Sequence, residues 1–156
     1  MLDDPIMIRR KDPADTLSGL MQLSAQTSFE AIIEGNEYIA GNINAVVIAG
    51  MGGSALAAEM VIALTRGWLH IPLVVTKGYD LPGFVNDNTL VIAISHSGNT
   101  EETLSCYDQA RAKNCQLAVI TTGGALFEKA VVDGVKRIKI PAGAQPRMST
   151  VYHLRG

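Results

Sequence analysis

The sequence predicts an α/β protein built on a doubly wound sheet of five parallel strands. Two observations predict it. Five short runs rich in Val, Ile and Leu recur along the chain, most of them without polar alternation, as in strands covered on both faces. Segments with helical spacing lie between most of these runs, in the alternating order of a doubly wound sheet.

The amino-terminal part precedes that alternation. Asp15 to Ala40 has helical patterning through Leu17, Leu20, Met21, Ser24, Phe29, Ile32 and Ile33 and no strand-like run. Residues 1–40 are therefore expected as a helical segment, one broken or two short helices, packed on a sheet domain of residues 41–156. The first strand is Ala45–Ala49. Pairs Ala55-Leu56, Glu59-Met60 and Ala63-Leu64 repeat every four residues and mark a helix from near Ser54. Leu73–Thr76 is the second strand. The stretch from Lys77 to Asn88 lacks a helical period and is full of turn formers, so a loop crossing is expected in place of a helix. Leu90–Ile94 is the third strand, and Leu104, Cys106, Tyr107, Ala110 and Arg111 outline the helix after it, ending near Asn114. Leu117–Thr121 is the fourth strand. A shorter helix, Ala125 to Val132, stops at Asp133-Gly134, and Val135–Ile140 is the fifth strand.

Composition narrows the function classes. With 156 residues, 47% hydrophobic and 18% charged, the chain suits one domain burying roughly 70% of its unfolded surface without a disulfide or metal staple. Thirteen Lys+Arg against 15 Asp+Glu, with no basic run longer than the short segments at 9–11 and 136–139, argue against a nucleic-acid partner. Met1-Leu2-Asp3-Asp4-Pro5 has no signal-peptide core and no apolar run has membrane-spanning length, so a cytoplasmic protein without membrane contact is expected. Cys106 and Cys115, nine positions apart without C-x-x-C spacing, read as packing thiols in or near a helix. His70, His96 and His153 lack ligand spacing, so no metal site is expected.

Two loops at strand carboxyl ends hold the candidate chemistry, where a doubly wound sheet binds its ligand. Gly50-Met51-Gly52-Gly53-Ser54 lets backbone approach an anion at a helix start, although such glycines also serve simply to make a tight turn. Ser95-His96-Ser97-Gly98-Asn99-Thr100-Glu101-Glu102 sets three hydroxyls around a glycine at the next helix start. Asn99 is expected as the N-cap with Glu102 as its N3 partner. Capping does not account for Ser95, Ser97 and Gly98 together; hydroxyls, backbone N–H groups and the helix dipole hold a phosphate without lysine. His96 stands in this loop as an acid or base candidate, and its plainer reading is an exposed side chain shaping the rim.

Competing chemistries lack their residues. Gly50-x-Gly52-x-x-Ala55 fits a dinucleotide turn, but the next strand ends at Thr76-Lys77 without the ribose-binding acid. No cofactor is therefore expected, Lys77 being the one residue there that suits a phosphorylated cofactor. The chain has no G-x-x-x-x-G-K-[ST] phosphate loop and no G-x-S-x-G elbow, and Ser54 has no identifiable triad partners.

Three segments carry a family resemblance: Val-Ile-Ala-Gly-Met-Gly-Gly-Ser54, Ala-Ile-Ser-His-Ser-Gly-Asn-Thr-Glu-Glu-Thr103 and Ile-Pro-Ala-Gly-Ala-Gln-Pro-Arg147. With Tyr79-Asp80-Leu81-Pro82, they resemble the sugar isomerase (SIS) domain of bifunctional phosphoglucose/phosphomannose isomerases, over about Ala45 to Arg147. The resemblance implies a flavodoxin-like, three-layer fold. It implies a hexose 6-phosphate held by Ser95, Ser97 and Thr100, with Gly52, Gly53 and Ser54 lining the sugar. It implies aldose-ketose isomerisation through a cis-enediolate whose charge Arg147 offsets. A guanidinium aimed at developing negative charge stabilises the transition state more than the ground state. Without the family, Arg147 reads as a surface residue after a proline turn. Family members carry two SIS domains in about twice this length, with the base glutamate and ring-opening histidine in the second, and neither role transfers to a residue here. The chain is therefore expected to be the first half of such an isomerase, partnered by a second SIS domain or by its own copy as a dimer. The alternatives are a non-catalytic sugar-phosphate sensor and a single-domain isomerase of another phosphosugar.

Overall fold

The computed structural model describes residues 4–37, 39 and 41–156. Met1, Leu2 and Asp3 of the amino-terminal stretch, and Tyr38 and Ala40 near the end of the expected helical segment, lie outside them.

Five parallel strands form where the apolar runs place them, each within a residue of its expected start and end: β2 (Ala45–Gly50), β3 (Leu73–Thr76), β4 (Thr89–Ser95), β5 (Gln116–Thr121) and β6 (Lys136–Lys139). The helices are α1 (Pro5–Lys11), α2 (Thr16–Met21), α3 (Gly52–Thr65), α4 (Glu101–Ala112), α5 (Gly124–Val132) and α6 (Thr150–Arg155). A two-residue strand β1 (Ile33–Glu34) makes a sixth, in the order β1-β6-β5-β4-β2-β3. Counted from β2, the parallel strands run 2-1-3-4-5, the flavodoxin-like order, whose switch point falls between β2 and β4. Gly50 is in register with Ile94 there, so the two loops singled out above leave adjacent strand ends.

The amino-terminal segment departs from expectation. Helix α2 stops at Met21, a 3-10 turn follows over Ala25–Ser28, and Ile33–Glu34 then pairs antiparallel with β6. The spacing of Phe29, Ile32 and Ile33 suggests a helix only because three positions cannot separate the periods. The open edge of β6 offers unpaired backbone groups, and β-branched isoleucines suit a strand. Helix α1 also falls outside the expected elements, yet its start is marked: Asp4 Oδ1 accepts from Ile6 N–H at 2.9 Å with Pro5 at the first position. The crossing from Lys77 to Asn88 is helix-free, as expected, and inserts Leu81 and Val85 into the core.

The two sheet faces are covered by different helices. One face packs Val47, Val91, Leu117 and Val119 against Cys106, Tyr107, Ala110, Leu126 and Ala130 of α4 and α5. Fully burying each such aliphatic side chain contributes about 1.5–3 kcal/mol. Both cysteines are buried, and burial, then the charge of Asp80, pushes the Cys106 thiol up to about 11, which suits packing rather than nucleophilic attack. The other face packs Ile48, Ile94, Ile120, Ile138 and Ile140 beneath Ala58 of α3 and Tyr152 of α6, with Phe29 edge-on to Tyr152 at 5.4 Å. It leaves an apolar groove of about 590 Å³ along Ile33, Ile92, Ile120 and Ile138. Among the described residues no helix is long and apolar enough to cross a membrane.

Candidate functional site

The loop after β4 is held by its own hydroxyls. Ser95 is 2% exposed; its Oγ accepts from the Gly98 N–H at 3.0 Å and lies 2.8 Å from Thr100 Oγ1. Ser97 Oγ accepts from the Asn99 N–H at 3.2 Å. With Ser95 donating to Thr100, the hydroxyl protons of exposed Ser97 and half-buried Thr100 remain for a ligand. Helix α4 begins behind them with Thr100 as N-cap and no side-chain cap, so its positive end faces the same place.

Asn99 is not the N-cap, correcting the expectation. Its Oδ1 accepts instead from Ala125 N–H at 3.0 Å, capping the start of α5. The reason is a third loop, Thr121-Thr122-Gly123-Gly124, which packs against the second. Thr122 donates to His96 O through N–H and Oγ1 at 3.2 and 2.6 Å, and Leu126 N–H donates to Gly98 O at 2.9 Å. Gly98 sits at φ +70, where a Cβ would run into the Gly123 carbonyl. Sequence reasoning missed this loop, although it repeats the signal of the other two, small hydroxyl residues and glycines at a strand's carboxyl end.

The loop after β2 has a different neighbour. A Cβ on Gly53 would stand 2.8 Å from Pro146 O and 3.4 Å from Arg147 Cα. The glycine thus admits the turn that carries Arg147. Gly52 is exposed, Gly53 half-buried, and Ser54 buried at the start of α3. The helix begins at Gly52 rather than near Ser54. The Gln145–Arg147 turn is braced by Met148 N–H to Gln145 O at 2.8 Å, Thr150 Oγ1 to Arg147 O at 3.1 Å and Gln26 Nε2 to Met148 O. Among the described residues no ion pair ties down the exposed Arg147 guanidinium.

His96 is not an exposed rim side chain. Its ring crosses to the same turn, with Nε2 3.0 Å from Ala144 O; a carbonyl only accepts, so Nε2 carries the proton. Nδ1 is buried without a partner among the described residues, and the ring stands 5.7 Å from that of His153, nearly perpendicular at 78°. His153, on α6, is 3% exposed with both ring nitrogens unpartnered among the described residues. Burial, then the nearby His96, pushes it down to about 4, so it is neutral near pH 7. Of the acids near the loops, Glu101 accepts from Tyr79 Oη at 3.2 Å and Glu59 pairs with Lys77, whereas Glu102, half-buried in the first turn of α4, has no hydrogen-bond or ion-pair partner among the described residues. Among the described residues no group of three or more His, Cys, Asp or Glu is placed to hold a metal ion.

The geometry therefore joins the Gly52–Gly53 turn, the Ser95–Thr100 loop and Arg147 at the carboxyl ends of the central strands. The SIS domain model matches residues 42–138. A bifunctional phosphoglucose/phosphomannose isomerase of Caldicellulosiruptor bescii is 48% identical over 113 residues, 72% of this chain and 33% of that protein. The Thermoplasma acidophilum protein of the same name is 44% identical over 112 residues, 72% of this chain and 34% of its own. The matched part of this chain thus covers about a third of the length of these relatives. In fold, a hypothetical protein of Thermus thermophilus superposes with a TM-score of 0.62 at 23% identity, over 98% of this chain and 39% of that one. With the family model covering its sheet from β2 into β6 and relatives 44% and 48% identical over 72% of it, this chain belongs to the SIS domain family.

Proposed function

We propose that this chain is the phosphosugar-binding half of a glucose 6-phosphate/mannose 6-phosphate isomerase. Ser97 and Thr100 hold the 6-phosphate at the amino end of α4, and Ser95, bonded to Thr100 and Gly98, fixes the loop behind them. Gly52, Gly53 and Ser54 form the wall along the sugar, and Arg147 offsets the charge of a cis-enediolate at C1–C2. The observation that carries the reading is the convergence of a hydroxyl-lined helix start and an arginine without an ion pair among the described residues at the sheet's switch point. That pairing suits a substrate with a phosphate at one end and a developing anion at the other.

The proton shuttle between C1 and C2 is assigned to no residue of this chain: Glu59 and Glu101 have partners elsewhere, and Glu102 stands in the first turn of α4, at the phosphate end of the proposed site rather than beside C1–C2. The chain therefore works with a second SIS domain or a second copy, and the apolar groove beside β5 and β6 offers surface for that association. The test is an isomerase assay on fructose 6-phosphate with the chain alone and with a second SIS half of a bifunctional isomerase added. Turnover that appears only on mixing and disappears in Arg147→Ala is expected. A chain that binds the sugar phosphate yet stays inactive in every mixture belongs to the sensor class instead.

A further inference from the structure

We infer that His96 is a positioning residue: its Nε2–H latches the turn that carries Arg147 onto the phosphate loop, fixing the two ends of the site relative to each other. The inference rests on the phosphosugar reading above. His96 lies between Ser95 and Ser97, and its own carbonyl is held by both Thr122 donors, so its backbone cannot drift from the hydroxyls. Its side chain reaches Ala144 O, three residues before Arg147. On its other side the same turn rests against Gly53. The turn is therefore held between a hydrogen bond and a close backbone contact. Behind the ring stands His153 of α6, the helix that leaves the turn, and the buried Nδ1 leaves the ring no second partner to swing towards among the described residues.

The latch matters because Arg147 has no ion pair of its own among the described residues, so its backbone is what aims it. A displacement of about 1 Å in such a group lowers effectiveness by up to about 100-fold. A rim side chain would leave that aim untouched.

Two variants separate these roles. His96→Phe keeps a flat ring and loses the donor, whereas His96→Gln keeps an N–H donor. Without ligand, amide hydrogen exchange at Met148, whose N–H closes the turn, is expected to quicken at least about tenfold in His96→Phe. Exchange at Val47 and Val91 should stay as it was, and His96→Gln should recover most of the Met148 protection. With ligand, calorimetry compares inorganic phosphate, which needs the hydroxyl loop alone, with 5-phospho-D-arabinonate, whose carboxylate stands in for the enediolate oxygens. His96→Phe is expected to raise Kd for the arabinonate about tenfold and for phosphate less than about twofold, with His96→Gln between. Unchanged Met148 exchange, or equal weakening of both ligands, overturns the latch. If the unaltered chain binds neither ligand, the phosphosugar reading fails while the exchange result still decides the latch. Should His96→Phe not fold, imidazole ¹⁵N shifts of the unaltered protein decide it: a proton on Nε2 and none on Nδ1 is expected, and the opposite tautomer overturns the proposal.

Discussion

The loops after β2 and β4 leave adjacent strand ends, are built from small residues and open helices of 14 and 12 residues, yet smallness serves each differently. After β2, the absent side chain of Gly53 makes room for the backbone of Pro146 and Arg147. After β4, the small residues act through what they donate and accept: Ser95 ties Gly98 to Thr100, and Ser97 receives Asn99. One loop is a seat for a charged turn and the other, on the proposed reading, a cradle for an anion. Similar composition at equivalent strand ends thus does not imply similar chemistry. What distinguishes the loops is whether their polar atoms order the loop itself or their bareness faces backbone.

Substitutions test this contrast, the strongest in the cradle. Replacing Ser97 and Thr100 together by Ala removes two hydrogen bonds to a charged group, each worth about 1.5–3 kcal/mol. A fall of at least about 100-fold in affinity for fructose 6-phosphate is expected by calorimetry, with the urea midpoint lowered as well because buried Ser95 loses its acceptor, at a cost of about 1–3 kcal/mol. Gly98→Ala disturbs the cradle's frame rather than its donors. A Cβ at φ +70 meets the Gly123 carbonyl, and the strain of a left-handed alanine plus overpacking should lower unfolding free energy by about 2–5 kcal/mol in urea titrations.

The support behind both loops is tested by pH. His153 is held down to about 4 in the folded chain against an ordinary 6.5, so between those values the unfolded chain takes up a proton that the folded one refuses. Stability contributed by this group is intact above about pH 6.5, falls as pH drops towards 4 and levels off below. The span corresponds to about 3 kcal/mol. His153→Phe should flatten the dependence of the urea midpoint by that share between about pH 7 and pH 4.5. A dependence identical to that of the unaltered protein contradicts the assignment. The smallest effect belongs to the seat. Gly53→Ala should raise Kd for 5-phospho-D-arabinonate about tenfold by pushing the Arg147 turn outwards, leaving inorganic phosphate within about twofold.

Much of this was legible in the residues. The apolar runs located five parallel strands because strands buried on both faces need continuous hydrophobicity, and the loop chemistry pointed to the sheet's switch point. Local capping logic failed at Asn99, where the side chain answers a helix start 26 positions away in sequence. It failed also at Ile33, whose strand exists only because β6 presents an edge. The His96 to Ala144 bond spans 48 positions and has no local signature. Each of these depends on chain segments meeting in the fold, which periodicity does not encode. Arg147 became identifiable through its motif, and the fold adds the reason for its placement, the bare Cα of Gly53 beneath it.

The most direct test is a crystal structure of this chain soaked with fructose 6-phosphate. The account predicts phosphate density within hydrogen-bonding distance, about 2.5–3.0 Å, of Ser97 Oγ and Thr100 Oγ1, with the C1–C2 end of the sugar towards Arg147. Density for the phosphate anywhere else, with the Ser95–Thr100 loop empty at saturating sugar phosphate, would contradict it.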